Sequence, residues 1–210
     1  EENIGVIRRI SAAVELPVSA DIESGYGPTP DDVAQTVRDV IAAGAVGVNL
    51  EDSDSATGEP FTVHEQAARI RAARAAATEA GLPELVINAR TDVYLFQIGE
   101  PAGRFEDVIN RAQAYADAGA DILFVPGLLD LAVIRQLVSA SPLPINIMAG
   151  PGAPTIRQLA DAGVRRVSLG SAVAQAAYGA ALSAARATLQ DGTYEIVSAG
   201  ADFGEINGAF

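Results

Sequence analysis

The chain has 210 residues, 49% hydrophobic but only 5% aromatic, so its core is mostly Ala, Val, Leu and Ile, which suits a helix-covered parallel sheet. With 14 basic against 27 acidic residues the net charge is −13, which disfavours nucleic acid and anionic membrane as partners. There is no Cys, no Lys and a single His, which excludes disulfides, thiolate and Schiff-base chemistry, a P-loop lysine and multi-histidine metal sites; with no secretory signal and no membrane-length apolar run, a cytoplasmic location is expected.

Residues 1–13 read as a helix, with Ile4, Ile7 and Ile10 at helical spacing and Val14 continuing the row. The chain opens inside that helix without a cap, so a further segment is expected upstream. Leu16-Pro17-Val18 reads as the first strand. Ala20-Asp21-Ile22-Glu23-Ser24-Gly25-Tyr26-Gly27 follows it. Asp21 and Glu23 stand two apart, and an extended chain points both carboxylates to one side. Like charges repel, and a divalent cation relieves that repulsion. The alternative is that the two acids cap the turn made by the glycines.

Thr29 or Asp31 caps a helix that runs to about Ala43, and Gly44 stops it. The strand 46–50 ends in Glu51-Asp52, and a polar loop runs from Ser53 to Pro60. Thr62-Val63-His64-Glu65 is a capping box, opening a helix to about Ala80 on which Arg69, Arg71 and Arg74 read as a solvated face. His64 reads as a surface residue. Strand 85–88 closes with Ala89-Arg90-Thr91-Asp92. A helix at 105–118, strand 122–125, helix 129–140, strand 145–148, helix 155–162 and strand 167–169 follow. A long Ala-rich helix then runs to about Gln190, and a Gly-interrupted tail to Phe210.

Six strands each followed by a helix predict an α/β fold with a parallel sheet. A doubly wound sheet and a closed barrel both fit. A (β/α)8 barrel takes eight units and about 250 residues, so this chain matches one lacking its first two. It is expected to be a single, N-terminally incomplete barrel domain over 1–210 with a helical tail from about 172.

Polar groups gather after the strand ends, the rim where parallel α/β folds place their sites. Asp21, Glu23 and Glu51 are hard oxygen donors suited to Mg²⁺ or Mn²⁺. Arg90 offers a planar fork for a carboxylate or phosphoryl group, or else pairs structurally with Asp92. Asn146 faces a ligand or is a satisfied core amide. Ser168 to Ser171 precede a helix and suit an anion.

Four motifs occur together in order and spacing: Ala20 to Gly27, Asn49-Leu50-Glu51-Asp52, Asn88-Ala89-Arg90-Thr91-Asp92 and Ala120-Asp121-Ile122-Leu123-Phe124-Val125-Pro126. As a set, from the start to about Ala177, they resemble the isocitrate lyase/phosphoenolpyruvate phosphonomutase superfamily. The resemblance implies a (β/α)8 barrel with Mg²⁺ at the carboxyl rim, acting on small 2-oxo or 2-hydroxy carboxylates through an enolate-like species. Asp21, Glu23 and Glu51 match metal-site carboxylates, partly acting through water. Arg90 matches the catalytic, substrate-binding arginine; Asn146 and Gly25 match substrate-facing positions. The resemblance also implies a homo-oligomer that exchanges C-terminal helices.

Three features depart from the family pattern. Two initial strands are absent. The loop 53–61 holds none of the lyase Lys, Cys or His. Glu23 stands where the best-known members have Asp. The implied activity is a Mg²⁺-dependent carbon–carbon lyase, with phosphonomutase-like, oxaloacetate-hydrolysing or -decarboxylating, and non-catalytic binding or assembly roles as alternatives. Water, Tyr26 or the upstream segment would supply the proton.

Overall fold

A computed structural model describes residues 2–54 and 57–208. Residue 1 of the expected opening helix, two residues of the loop 53–61 and the last two of the tail lie outside these. The chain divides into two compact units, 1–168 and 169–210.

The first unit holds α1 (Glu2–Ala13), β1 (Ser19–Asp21), α2 (Pro30–Ala42), β2 (Gly47–Glu51), α3 (Val63–Glu79), β3 (Val86–Arg90), a 3-10 turn (Pro101–Gly103), α4 (Arg104–Asp117), β4 (Ile122–Val125), α5 (Leu131–Ala140), β5 (Ile145–Met148), α6 (Ile156–Asp161) and β6 (Arg166–Ser168). Thr29, Thr62 and Thr155 open α2, α3 and α6 with reciprocal capping boxes. Gly44, Gly81, Gly119 and Gly163 end α2, α3, α4 and α6 with φ of +95°, +81°, +99° and +92°, a conformation that favours glycine.

The strands pair in chain order and every pair is parallel. A doubly wound sheet reverses that order at a switch point. This one does not, so successive right-handed crossovers keep the helices on one face. The outcome is a six-stranded arc of the barrel type. Ala20, Val48, Leu50, Ile87, Ala89, Leu123, Ile145 and Ile147 point to the helices and form the core. The alternate residues form the opposite, polar face: register sets Asp21 beside Asn49, Asn49 beside Asn88, and Glu51 beside Arg90.

Two sequence expectations need correction. The first strand lies three residues later than the apolar run 16–18. Leu16 is 75% exposed, and Pro17 has no N–H for the ladder. Pairing begins only where Val46 N–H donates to the Val18 carbonyl at 2.8 Å. Asp21 is therefore the last residue of β1. The arginines of α3 are also not one solvated face. Arg71 is exposed, but Arg69 is buried and Arg74 is half-buried. Arg74 donates to the carbonyls of Pro83, Leu85 and Gly119 at 2.6–3.1 Å and to Asp121 at 2.6 Å. It ties α3 to the segments that enter β3 and β4.

The second unit contains α7 (Ala172–Arg186), a π-helical turn (Ala187–Asp191), a 3-10 turn (Glu195–Ala199) and α8 (Phe203–Asn207). No residue of α7 is buried, and Val173, Tyr178 and Leu182 are among its exposed apolar side chains. Among the described residues, no helix is long and apolar enough to cross a membrane.

Candidate active site

The carboxyl end of β1 turns sharply. Glu23 has φ of +52° and Tyr26 +56°, so the chain leaves the extended conformation just after Asp21. The two carboxylates are thus not the side-by-side pair that an extended chain predicts. Asp21 Oδ1 accepts from the Glu23 N–H at 3.0 Å and closes the turn. Tyr26 donates its hydroxyl to the Asp21 carbonyl at 3.1 Å. Gly25 is the one residue this turn admits. Its φ is +96°, and a Cβ there would lie 2.6 Å from Val33 Cγ2. Its N–H donates to the Ile22 carbonyl, and its carbonyl accepts from Thr36 Oγ1. Both polar groups of Gly25 are spent inside the protein.

Arg69 braces this loop from behind. Its guanidinium donates to the carbonyls of Ser24, Gly27 and Pro28 and lies 4.5 Å from the centre of the Phe61 ring. In front of the loop, Glu23, Tyr26, Pro28, Asp54 and Phe61 line an open cleft of about 420 Å³.

The ends of β2 and β3 carry a denser charge cluster. Arg90 Nε lies 2.7 Å from Asp92 Oδ1, and Nη1 lies 2.7 Å from Glu51 Oε2. Asp92 is fully buried. Its other oxygen accepts from Ser53 Oγ, and its N–H donates to Asp52 Oδ1 at 2.9 Å. Asp52 is fully buried too, and accepts from Arg111 Nη1 at 2.9 Å and the Tyr115 hydroxyl at 2.7 Å. Burial pushes the Asp52 carboxyl up against the pull of Arg111 and the Asp92 N–H, and burial likewise raises the Tyr115 phenol. Burial raises Glu51 to about 7; Arg90 opposes this, while Asp92, Asp21 and Glu23 reinforce it.

A chain of side-chain amides runs beneath these groups. Asn49 Nδ2 donates to Asp21 Oδ1 at 3.2 Å. Asn88 Nδ2 donates to Asn49 Oδ1 at 2.7 Å, and Asn146 Nδ2 to Asn88 Oδ1 at 3.3 Å. Ser168 Oγ donates to Asn146 Oδ1 at 3.1 Å. From Asn146 to Asp21 each amide donates towards β1, and the Asp21 oxygen that accepts at the end of the row suits that direction; Asn146 Nδ2 also lies 3.0 Å from Ser168 Oγ, to which it donates. Asn146 is fully buried and satisfied, and Ser168 turns to it.

The sequence-derived site residues therefore separate. Glu51 and Arg90 touch, and Asp21 and Glu23 share the neighbouring turn. Asn146 and Gly25 are enclosed, and His64 is exposed. Asn49 and Asn88 were given no role from sequence, Asp92 only that of a structural partner of Arg90, and Arg69 that of a solvated face. The first two were findable: Asn49 precedes Glu51 by two, and Asn88 precedes Arg90 by two, so in strands each pair shares a face.

Among the described residues, no three of His, Asp and Glu lie close enough to hold a metal ion by themselves. Asp21 is turned to its own loop and Glu51 to Arg90. A dry protein cage is thus absent there. The donor chemistry still fits Mg²⁺, which is commonly held by one or two carboxylates with water and substrate oxygens. The Asp21 oxygen Oδ2 makes no protein hydrogen bond among the described residues, and Asp92, Asp21 and Glu23 add to the effect of burial on Glu51 a negative charge that a cation would relieve.

A parallel barrel-type arc with acids and an arginine at its carboxyl rim defines a class of barrel enzyme site. The comparisons with known proteins make the assignment specific. The phosphoenolpyruvate phosphomutase family matches residues 1–189, and the chain belongs to that family. The 2-methylisocitrate lyase of Escherichia coli K12 is 37% identical over 146 residues, 66% of this chain and 46% of that protein. The chain thus spans about half the length of that curated relative. A phosphonomutase-like protein of Burkholderia cenocepacia J2315 is 46% identical, with a TM-score of 0.83 over 88% of this chain and 76% of that one. Phosphonopyruvate hydrolase, in its complex with oxalate and Mg²⁺, is 27% identical, with a TM-score of 0.80 over 98% of this chain and 72% of that one.

Proposed function

We propose that the protein is a Mg²⁺-dependent enzyme acting on a small 2-oxo or 2-hydroxy carboxylate, cleaving a carbon–carbon bond through an enolate-like species. The observation that carries this is Arg90. Asp92 anchors its guanidinium at Nε and Glu51 lies against Nη1, yet Nη2 has no protein partner among the described residues. Arg90 binds the substrate carboxylate. Asp21 and Glu51, with Glu23 on the neighbouring turn, are the carboxylates that would hold the metal. When bound, Mg²⁺ supplies electrophilic polarisation of the substrate carbonyl. Asn49 and Asn88 orient Asp21 from below, and the Arg69-braced loop carries Glu23 and Tyr26 at the cleft mouth. Tyr26, which lines the cleft with Glu23, is the phenol for proton transfer, and burial raises its hydroxyl above its ordinary range, so at neutral pH it serves as a donor.

The phosphonomutase-like reading is favoured by one feature. The loop 53–61 contains no Cys, Lys or His to protonate a carbon leaving group. Assaying a panel of 2-oxo, 2-hydroxy and phosphono carboxylates, with and without Mg²⁺, tests both readings. Metal-dependent cleavage abolished by Arg90→Ala is expected; turnover confined to phosphono substrates selects the second reading. Metal-independent or absent binding of every member sinks both. The exposed apolar side chains of α7 support a homo-oligomer, which light scattering would detect as a mass above 21.6 kDa.

A further inference from the structure

The guanidinium of Arg90 is gripped in two unlike ways. At Nε the partner is Asp92, which has no exposed surface and is itself held by Ser53 Oγ, by Asp52 through its N–H, and at one remove by Arg111 and Tyr115. The Asp52 N–H also donates to the Arg90 carbonyl at 3.1 Å, so main chain and side chain are fixed together. At Nη1 the partner is Glu51. That carboxylate makes no other side-chain bond among the described residues, and its side chain reaches the rim. An arginine with Nε pinned presents its Nη1–Nη2 edge, the edge that takes a carboxylate end-on. One oxygen of Glu51 already lies 2.7 Å from Nη1, one of the two nitrogens of that edge.

We infer that Asp92 is a positioning residue that fixes which edge of Arg90 faces the site, and that Glu51 is an exchangeable stand-in for the substrate carboxylate on that edge. The inference rests on the reading of Arg90 given above. It assigns the two acids opposite effects on carboxylate binding, although both lie within 2.7 Å of the same guanidinium. Withdrawing Asp92 frees Nε to rotate and weakens binding. Withdrawing Glu51 vacates Nη1 and strengthens it, provided no metal is present to need Glu51. In the loaded protein, a cation that draws Glu51 away opens the arginine, so metal and carboxylate bind with positive coupling. General damage to a buried ion network would weaken binding in both variants, so the opposite signs separate positioning from structure.

The test is calorimetric titration with oxalate in EDTA, so that no metal bridges the ligand to the protein. Glu51→Ala is expected to bind oxalate about tenfold more tightly than the native protein, the effect of removing a competing carboxylate paired with Nη1. Adding Asp92→Asn, which keeps shape and the bond to Ser53, is expected to return about tenfold of that gain. Thermal unfolding of each variant confirms a folded protein. Equal or weaker affinity in Glu51→Ala overturns the stand-in role. Equal affinity in Glu51→Ala and Glu51→Ala/Asp92→Asn overturns the positioning role. Oxalate binding that survives in Glu51→Ala/Arg90→Ala overturns the functional reading itself, because the carboxylate then goes elsewhere.

Discussion

Arg74 and Arg90 serve opposite ends of the same sheet, and their hydrogen bonds differ in kind. Arg74 lies where the chain enters β3 and β4. Its donors are spent on three main-chain carbonyls and on Asp121. Arg90 lies where β3 ends. It meets two carboxylates and keeps Nη2 without a protein partner among the described residues. A saturated guanidinium stitches loops together. An unsaturated one, set among more acid than it can neutralise, is equipped to receive a ligand and a counter-cation. On the proposed reading, the amino end of the sheet carries stability and the carboxyl end carries the site.

The largest expected effect tests the saturated side. Arg74→Ala leaves several half-buried carbonyls without donors, and each lost charged bond is worth about 1.5–3 kcal/mol. Urea denaturation should show a loss of about 4 kcal/mol, while oxalate and Mg²⁺ affinities of the folded fraction stay unchanged. A change in those affinities would break the division between the two ends. Next is Arg90→Lys, which keeps the charge but loses the fork. Oxalate affinity in the presence of Mg²⁺ should fall by about a hundredfold, with a much smaller change in the urea midpoint than Arg74→Ala produces.

The third effect is a pH slope. Burial holds Glu51 at about 7 rather than 4.5, so the native state keeps a proton that the unfolded chain releases. Its contribution to stability is complete below about pH 4.5 and is lost as the pH rises through about 7. Urea midpoints measured across that window should fall in the native protein and flatten in Glu51→Gln. Over the same window, Mg²⁺ affinity should climb as the carboxyl ionises. The smallest effect sharpens the comparison by contrast. Arg71→Ala, on the exposed face of the same helix as Arg74, should change stability by no more than about 0.5 kcal/mol and binding not at all.

Much of the fold was legible because its punctuation is local. Four glycines at helix ends and the capping box at Thr62 need only neighbouring residues to act, and they set the alternation of strand and helix. Strand order was not local. Doubly wound and barrel-type sheets share one sequence pattern, and only the pairing register separates them. The first strand was misplaced because its apolar run, broken by Pro17, is the exposed approach to a short edge strand. The partners of Arg69 and Arg74 were illegible for another reason. Most are main-chain carbonyls some 40 residues away in sequence, which leave no side-chain signature. At the rim, Glu51 and Arg90 were readable as residue types. The pairing of Arg90 with Asp92, two residues on, was open to the sequence as an alternative; that Glu51 meets the same arginine depends on which strands lie adjacent. Asp21 and Glu23 were read as an extended pair, but the left-handed backbone at Glu23 turns them apart.

The row of amides from Asn146 to Asp21 has two ordered states, all donors towards β1 or all away from it, while the Ser168 hydroxyl meets both the oxygen and the nitrogen of Asn146. Asp21, accepting only, selects the first. Reversing the row requires every link to turn over together, since one amide flipped alone sets oxygen against oxygen on one side and N–H₂ against N–H₂ on the other. The row thus behaves as a one-way ratchet for orientation. The acceptor at a single strand end dictates the pose of side chains on three other strands, and an Asp placed at Asn88 would set the two ends of the row against each other.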